Sequence, residues 1–268
     1  MSYRDILVHL DGGDRDPQRI AVGASLVRRF GGRLTGLFAR QERYAPSIVA
    51  QRASEAFEAA AAESEKQFTA MAAGLPARFW RLSHGEAGHV LAEVSVCARL
   101  ADLVVLGQHH DGKAAPPELA ERVVLESGRP CLIVPAVGEY PVVGDAVMIA
   151  WNGGRESTRA LHDSLPFLEV ASSVEVVSVR QHPNSGTGVP VPPLSILDHL
   201  ATHGIRVNRE VLAAEDIGIM DLLLSRACDQ GSDLLVMGAH STKTLPFRKG
   251  AGTRYVLEHM TLPVLMSH

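Results

Sequence analysis

The sequence predicts an α/β chain of two consecutive domains, each a parallel β-sheet covered by helices on both faces. Three observations carry that class. Apolar runs of strand length alternate with segments of helical period along the 268 residues. The strand runs read as continuously apolar rather than alternating, as in sheets buried on both faces. The order also repeats. Arg4-Asp5-Ile6-Leu7-Val8-His9-Leu10-Asp11 before Gly12 is echoed by Asp145-Ala146-Val147-Met148-Ile149-Ala150-Trp151-Asn152 before Gly153. Ala101-Asp102-Leu103-Val104-Val105-Leu106-Gly107 is echoed by Ser232-Asp233-Leu234-Leu235-Val236-Met237-Gly238, and 129–134 by 262–267. Ordered matches about 130–140 residues apart indicate a duplicated domain, not a short solenoid repeat. Domains at 1–137 and 145–268 follow, with the linker at 138–144 around Gly138, Pro141 and Gly144.

In the first domain, 6–10 is a short apolar run ended by the turn residues Asp11-Gly12-Gly13. Pro17 opens a helix with Ile20, Ala24, Leu26 and Val27 on its apolar side, closed by Gly31-Gly32. A strand over 34–39 follows, then a long Ala- and Glu-rich helix over 47–73 stopped by Gly74 and Pro76. Strand 78–82, helix 90–100, strand 103–106, helix 118–126 and strand 131–134 complete the domain. The second domain repeats the order: strand 147–151, helix 156–165, strand 174–179, a Gly/Pro-rich loop over 183–193, helix 195–203, strand 207–212, helix 220–230, strand 234–237, helix 253–259 and strand 264–266. In doubly wound sheets ligands bind beyond the carboxyl ends of the strands, where strand order reverses. The residues just after the first and fourth strands of each domain are therefore the ones to weigh.

Composition narrows the function. A net charge of −4 gives no reason to expect nucleic acid or an anionic membrane as partner. No apolar run reaches the roughly 18 residues of a membrane span. The first strand starts at once, so no signal peptide is expected and the cytoplasm is the expected compartment. Three cysteines, Cys97, Cys131 and Cys228, cannot all pair internally and read as buried reduced thiols.

After Gly238 the chain reads Ala239-His240-Ser241-Thr242-Lys243-Thr244-Leu245-Pro246-Phe247-Arg248-Lys249-Gly250-Ala251-Gly252-Thr253 and enters a helix. Glycines let backbone N–H groups approach an anion, and a helix start offers free donors and a favourable dipole. Thr253 adds a hydroxyl suited to an N-cap. Lys243, Arg248 and Lys249 bring positive charge. The same stretch also reads as a solvated loop before a capped helix. Neither G-x-x-x-x-G-K-[ST] nor a G-x-G-x-x-G after a first strand occurs, which argues against a P-loop ATPase or a dinucleotide dehydrogenase.

These residues resemble the universal stress protein (UspA) family: a first strand ending in an acid or amide, a fourth reading Asp-Leu-hydrophobic-hydrophobic-Met-Gly, a Gly-bearing loop and a closing Pro-Val-Leu strand. The resemblance covers nearly the whole chain as two tandem copies, strong in the second half and weaker in the first. It implies five-stranded parallel sandwiches of the adenine-nucleotide α-hydrolase-like type. Its ATP-binding members carry G-x2-G-x9-G-[ST] after the fourth strand and an Asp after the first, near the adenosine. Carried over, Gly238 matches the first glycine and Gly252-Thr253 the closing pair near phosphate. Asn152 stands where the family has Asp, and Val179 would wall the base. His240, Arg248 and Gly250 belong to the same loop. Ser241 replaces the second glycine, and ten residues separate it from Gly252 rather than nine, an excess Gly250 can absorb. The ligand implied is ATP, with Mg2+ accompanying it. The resemblance further implies that the two halves pair through their last strands as an internal pseudo-dimer, and that whole chains associate further. Residues 131–134 and 264–266 are short apolar strands that need covering, in keeping with that.

The first copy keeps Asp11 but lacks the loop. After Gly107 come Gln108-His109-His110-Asp111-Gly112-Lys113, then Pro116-Pro117, and Glu118 and Glu121 open the next helix where they would repel phosphate. This copy reads as degenerate for nucleotide. His109, His110 and Asp111 are adjacent loop residues rather than spaced metal ligands. Ser157 and Thr158 read as helix-capping, and no Ser/Cys–His–Asp set can be assembled. Two readings remain. One is a non-enzymatic, nucleotide-responsive module with at most slow hydrolysis. The other is a structural or interaction protein without a nucleotide site.

Overall fold

Residues 2–41, 47–82, 86–109, 114–180, 195–214, 218–240 and 251–268 are described by a computed structural model, and the chain divides into compact units at Met1–Pro141 and Val142–His268. The first contains β1 (Asp5–Leu10), α1 (Asp16–Phe30), β2 (Arg33–Phe38), α2 (Ser47–Met71), β3 (Ala77–Arg81), α3 (Ala87–Ala98), β4 (Leu103–Gly107), α4 (Leu119–Ser127) and β5 (Cys131–Val134). The second contains β6 (Ala146–Ala150), α5 (Arg155–Leu168), β7 (Ser173–Arg180), α6 (Ile196–Thr202), β8 (Asn208–Ala213), α7 (Ile219–Asp229), β9 (Leu234–Gly238), α8 (Ala251–His259) and β10 (Val264–Ser267). Strand order is β3-β2-β1-β4-β5 in the first unit and β10-β9-β6-β7-β8 in the second. Every pairing within each unit is parallel. The predicted pair of five-stranded parallel sandwiches is the observed architecture.

The apolar runs are the buried strands. Ile6, Val8, Leu103, Val105 and Leu132 in the first unit, and Met148, Val176, Leu235 and Leu265 in the second, lose all or nearly all contact with solvent. The outer strands differ from the expectation of continuous apolar runs. In β3 every residue is exposed except the half-buried Phe79, and β8 carries Asn208, Arg209 and Glu210. Charged side chains on an edge strand discourage pairing with further strands, so their polarity suits their place. The thiols also divide: Cys131 is buried, Cys97 half-buried and Cys228 exposed, and none of the three is in a disulfide. Burial, with Glu93 nearby, pushes the Cys97 thiol above its ordinary pKa, which disfavours the nucleophilic thiolate.

The repeated Asp before the fourth strand has a structural cause. Asp102 Oδ2 accepts the backbone N–H groups of Arg4 and Asp5 at 2.8 and 3.0 Å. Asp233 Oδ1 accepts those of Gly144, Asp145 and Ala146 at 2.8, 3.0 and 3.1 Å. In both units one carboxylate gathers the donors at the start of the first strand and aligns it with the fourth. Charged acceptors give hydrogen bonds worth roughly 1.5–3 kcal/mol net, and buried donors left without an acceptor cost more. Asp233→Ala is therefore expected to destabilise the protein by about 2–3 kcal/mol. Asp233→Asn, which keeps an oxygen in place, should lose clearly less. Urea denaturation of the intact chain measures both, and a loss from the alanine variant below about 0.5 kcal/mol would show that water replaces the carboxylate there.

Candidate functional site

In the second unit β6 and β9 lie side by side while the chain leaves them in opposite directions, so a crevice forms beyond their carboxyl ends. A cavity of about 300 Å3 occupies it, lined by Asn152, Val177 and Val179, by Met220 and Leu223 of α7, and by Gly252 and Thr253 of α8, among others. Of the residues singled out from sequence, Asn152, Val179, Gly238, His240, Gly252 and Thr253 all line this one cavity. Ser241, Arg248 and Gly250 lie outside the described residues.

Close approach of α5 to the sheet shapes the floor. A Cβ on Gly238 would stand 2.5 Å from the Ser157 backbone nitrogen and against the Glu156 backbone, so only glycine lets the helix start there. Gly153, in the left-handed region at φ +71, turns the chain from β6 into α5. Asn152 Oδ1 accepts the Gly154 N–H at 2.8 Å and the Ser157 hydroxyl at 2.8 Å. Because the Gly154 N–H can only donate, the oxygen must face it, and the amide NH2 is left to donate to a ligand.

Thr253 was expected as an N-cap. Instead α8 begins earlier, at Ala251, and the buried Thr253 hydroxyl accepts the His240 backbone N–H at 3.0 Å. It ties the exit of β9 to the first turn of α8. His240 Nε2 lies 3.0 Å from Glu156 Oε2. Burial works against ionisation of Glu156, but its own backbone N–H, His240, Arg155 and His268 outweigh it and hold the carboxyl below its ordinary pKa.

Sequence reasoning missed Ser157, taken for a helix cap. Its hydroxyl donates to Asn152 and fixes the amide that faces the cavity. It also missed Ile219, Met220 and Leu223, whose spacing puts them on one face of the first turns of α7. Val177 was available, since residues two apart on a strand share a face and Val179 was already singled out.

The equivalent corner of the first unit is filled. Aligned on Gly12 and Gly153, Asp11, Asp16 and Arg19 correspond to Asn152, Ser157 and Ala160. Arg19, 2% exposed, bonds Asp11 at 2.6 Å and also pairs with Asp16. Its guanidinium lies where a Cβ on Gly107, the counterpart of Gly238, would fall. The space left beside His9, Asp11, Arg19 and Gly107 is about 10 Å3. The expectation that this copy is degenerate rests on its loop; the filling of the corner by Arg19 is a separate feature that the loop does not reveal.

A chain of two doubly wound parallel sandwiches, one with an open crevice at its strand switch and one with that crevice filled, has the architecture of the doubly wound α/β class, whose ligands bind at the strand switch. The family model for the universal stress proteins matches residues 2–135, half of the chain, and the protein belongs to the universal stress protein family. The matched half is the first, the copy in which the motif resemblance was taken as the weaker. The weighed loop is a short part of each copy, whereas the first copy's strands and helices are complete. Over the full length the chain is similar to a universal stress protein from Archaeoglobus fulgidus DSM 4304, at 14% identity and TM-score 0.72, covering 98% of this chain and 97% of that one. It is also similar to a protein from Pseudomonas aeruginosa PAO1 described as functionally unknown, at 14% identity and TM-score 0.59, covering 99% and 92%. No curated protein matches the chain.

The plug has a pH signature. One carboxylate suffices to neutralise Arg19, so the second is an excess buried charge. Burial, with Asp11 beside it, pushes Asp16 up to about 6 against the pull of Arg19. Burial also opposes ionisation of Asp11, but Arg19, His9 and its hydrogen bonds outweigh that and hold it well below the usual carboxylate range. Unfolded, Asp16 titrates near its ordinary 3.8. Between about pH 4 and 6 the folded chain therefore holds a proton at Asp16 that the unfolded chain lacks. Stability contributed by this group rises as pH falls through that window and is lost as pH climbs past 6. Asp16→Asn should remove this slope. Urea midpoints at pH 4.5 and 6.5 check it, and an equal pH response in parent and variant would refute it.

Proposed function

We propose that the second unit binds an adenine nucleotide in its crevice and that the chain acts as a nucleotide-responsive tandem universal stress protein. The observation that carries this is the cavity of about 300 Å3 at the strand switch, which collects six of the residues the family resemblance singles out. That size is at the lower end of small-molecule sites, roughly 300–1,000 Å3. Val177 and Val179 would face one side of the base, Met220 and Leu223 the other. The Asn152 NH2 would donate to a ring nitrogen or a ribose oxygen, where an Asp would accept from a hydroxyl. The first turn of α8 suits phosphate, since Gly252 leaves its backbone open and the helix start is electropositive. Ser241, Arg248 and Gly250, in the run leading to that helix, complete the proposed site. ATP with Mg2+ bound to its phosphates is the ligand the resemblance favours, held rather than turned over. The charge balance points to a small molecule, not nucleic acid or a membrane, as the partner.

A second reading, a protein that acts through its pairing surfaces without nucleotide, draws on the Glu156 carboxylate beside His240 at the end proposed for phosphate. Calorimetric titration with ATP, ADP and AMP separates the two, because only a nucleotide site gives saturable heat. Gly252→Glu is the sharper test. A Cβ there meets only the flexible end of Met220, at 3.1 Å, so the fold should survive while a carboxylate enters the phosphate end. Affinity should fall at least ~10-fold, about 1.4 kcal/mol. An unchanged affinity in this variant, or no heat from the parent protein with any of the three nucleotides, would end the proposal.

A further inference from the structure

Away from the crevice, three imidazoles gather on the second unit. His162 lies on α5, His199 on α6, and His203 follows the last turn of α6. The rings of His162 and His199 are 5.1 Å apart, and His203 packs edge-on against His199 at 5.1 Å. The nitrogens that face each other are both Nε2, separated by 3.2 Å. The other nitrogen of His162, Nδ1, stands 2.8 Å from the Thr158 backbone carbonyl oxygen. A carbonyl oxygen only accepts, so Nδ1 carries the hydrogen and Nε2 presents its lone pair to His199. A neutral imidazole whose far nitrogen is anchored on a backbone carbonyl is the form in which histidine binds metals.

Two nitrogens each about 2.0–2.1 Å from one ion at the tetrahedral angle stand roughly 3.3–3.4 Å apart. The observed 3.2 Å meets that spacing without movement of either helix. We propose that His162 and His199 together chelate a divalent transition-metal ion of the zinc, nickel or copper class. Without the ion, His199 Nε2–H donates to the His162 lone pair. To admit the ion His199 gives up that hydrogen and carries its ring proton on Nδ1, and His203 packs against its ring to hold its direction. Among the described residues no three potential ligands already converge, so water fills the remaining positions. Imidazole pairs select such ions over Mg2+ and Ca2+, which require oxygen ligands. The site is therefore separate in place and in chemistry from the proposed nucleotide crevice and does not depend on it.

The test is a titration of the full-length chain, free of any histidine tag, with ZnCl2 against a fluorescent zinc chelator. His162→Gln and His199→Gln variants are run in parallel. Both positions are solvent-accessible, and the chain has 12 histidines, so the readout is the difference between parent and variant. The strongest equivalent of zinc bound by the parent should weaken at least ~10-fold in each variant, and MgCl2 in excess should not displace it. Histidine-ring 15N resonances of the parent supply a check without substitution: zinc should shift the Nε2 signals of both His162 and His199. Absence of binding by the parent, undiminished binding in either variant, displacement by Mg2+, or unmoved Nε2 signals would each overturn the proposal.

Discussion

In each unit of this protein the first and fourth strands are neighbours whose chains depart to opposite sides, and the corner between their ends cannot be closed by main chain alone. A glycine ends the fourth strand of each unit: Gly238 lets the first turn of α5 press onto the corner, and Gly107 leaves room there for the Arg19 side chain. What remains must be filled by side chains, by water or by a ligand. The first unit fills it with the guanidinium of Arg19, three carbons out from α1 and clasped by Asp11 and Asp16. The second has Ala160 at the equivalent place, too short to reach, and the corner stays open.

The plug is not a cheap device. Three ionisable groups are withdrawn from water, and such groups are tolerated only when each finds its partners. Here Asp16 Oδ2 accepts the Gly12 N–H at 2.9 Å and the Ser64 hydroxyl at 3.3 Å, and Asp11 Oδ1 takes the Gly13 N–H at 3.2 Å, so the cluster is tied to the turn after β1 as well as to itself. Removing the arginine alone would strand two carboxylates, which commonly costs about 3–5 kcal/mol. The second unit differs at all three positions together, with Asn152, Ser157 and Ala160 in their place. The same turn geometry survives because Asn152 Oδ1 takes the Gly154 N–H just as Asp11 takes that of Gly13.

Much of this was legible in the chain. The duplicated strands could be read directly because a fully buried strand is a run of Val, Ile and Leu with nothing to disguise it. The repeated Asp102 and Asp233 marked strand junctions whose geometric reason, a carboxylate collecting backbone donors, appears only when β1 and β6 are seen beside β4 and β9. Gly238, Asn152 and Gly252 were singled out by their places after strands and at a helix entry together with the family resemblance, and all three line one cavity. Arg19 was not found: an arginine on an amphipathic helix normally faces water, and nothing in its neighbours announces two buried carboxylates waiting across a turn. The face of α7 that lines the crevice was equally hidden, since apolar residues at helical spacing serve a core and a binding wall alike.

Polarity in the open corner limits what it can hold. Its walls are mostly aliphatic and sulfur-bearing, and the Asn152 amide offers donors rather than acceptors. The charged groups near its rim, Glu156 and His240, compensate each other when the imidazole is protonated. Such a surface suits a flat, acceptor-rich body, and by itself offers an anion little. Attraction for phosphate must then come from the start of α8 and from the Lys243, Arg248 and Lys249 cations that precede it in sequence. On the proposed reading, recognition of base and of charge would be divided between β7 with α7 on one hand and the entrance to α8 on the other. A substitution in the crevice wall should alter affinity for nucleoside and nucleotide alike, whereas one at Arg248 should discriminate between them.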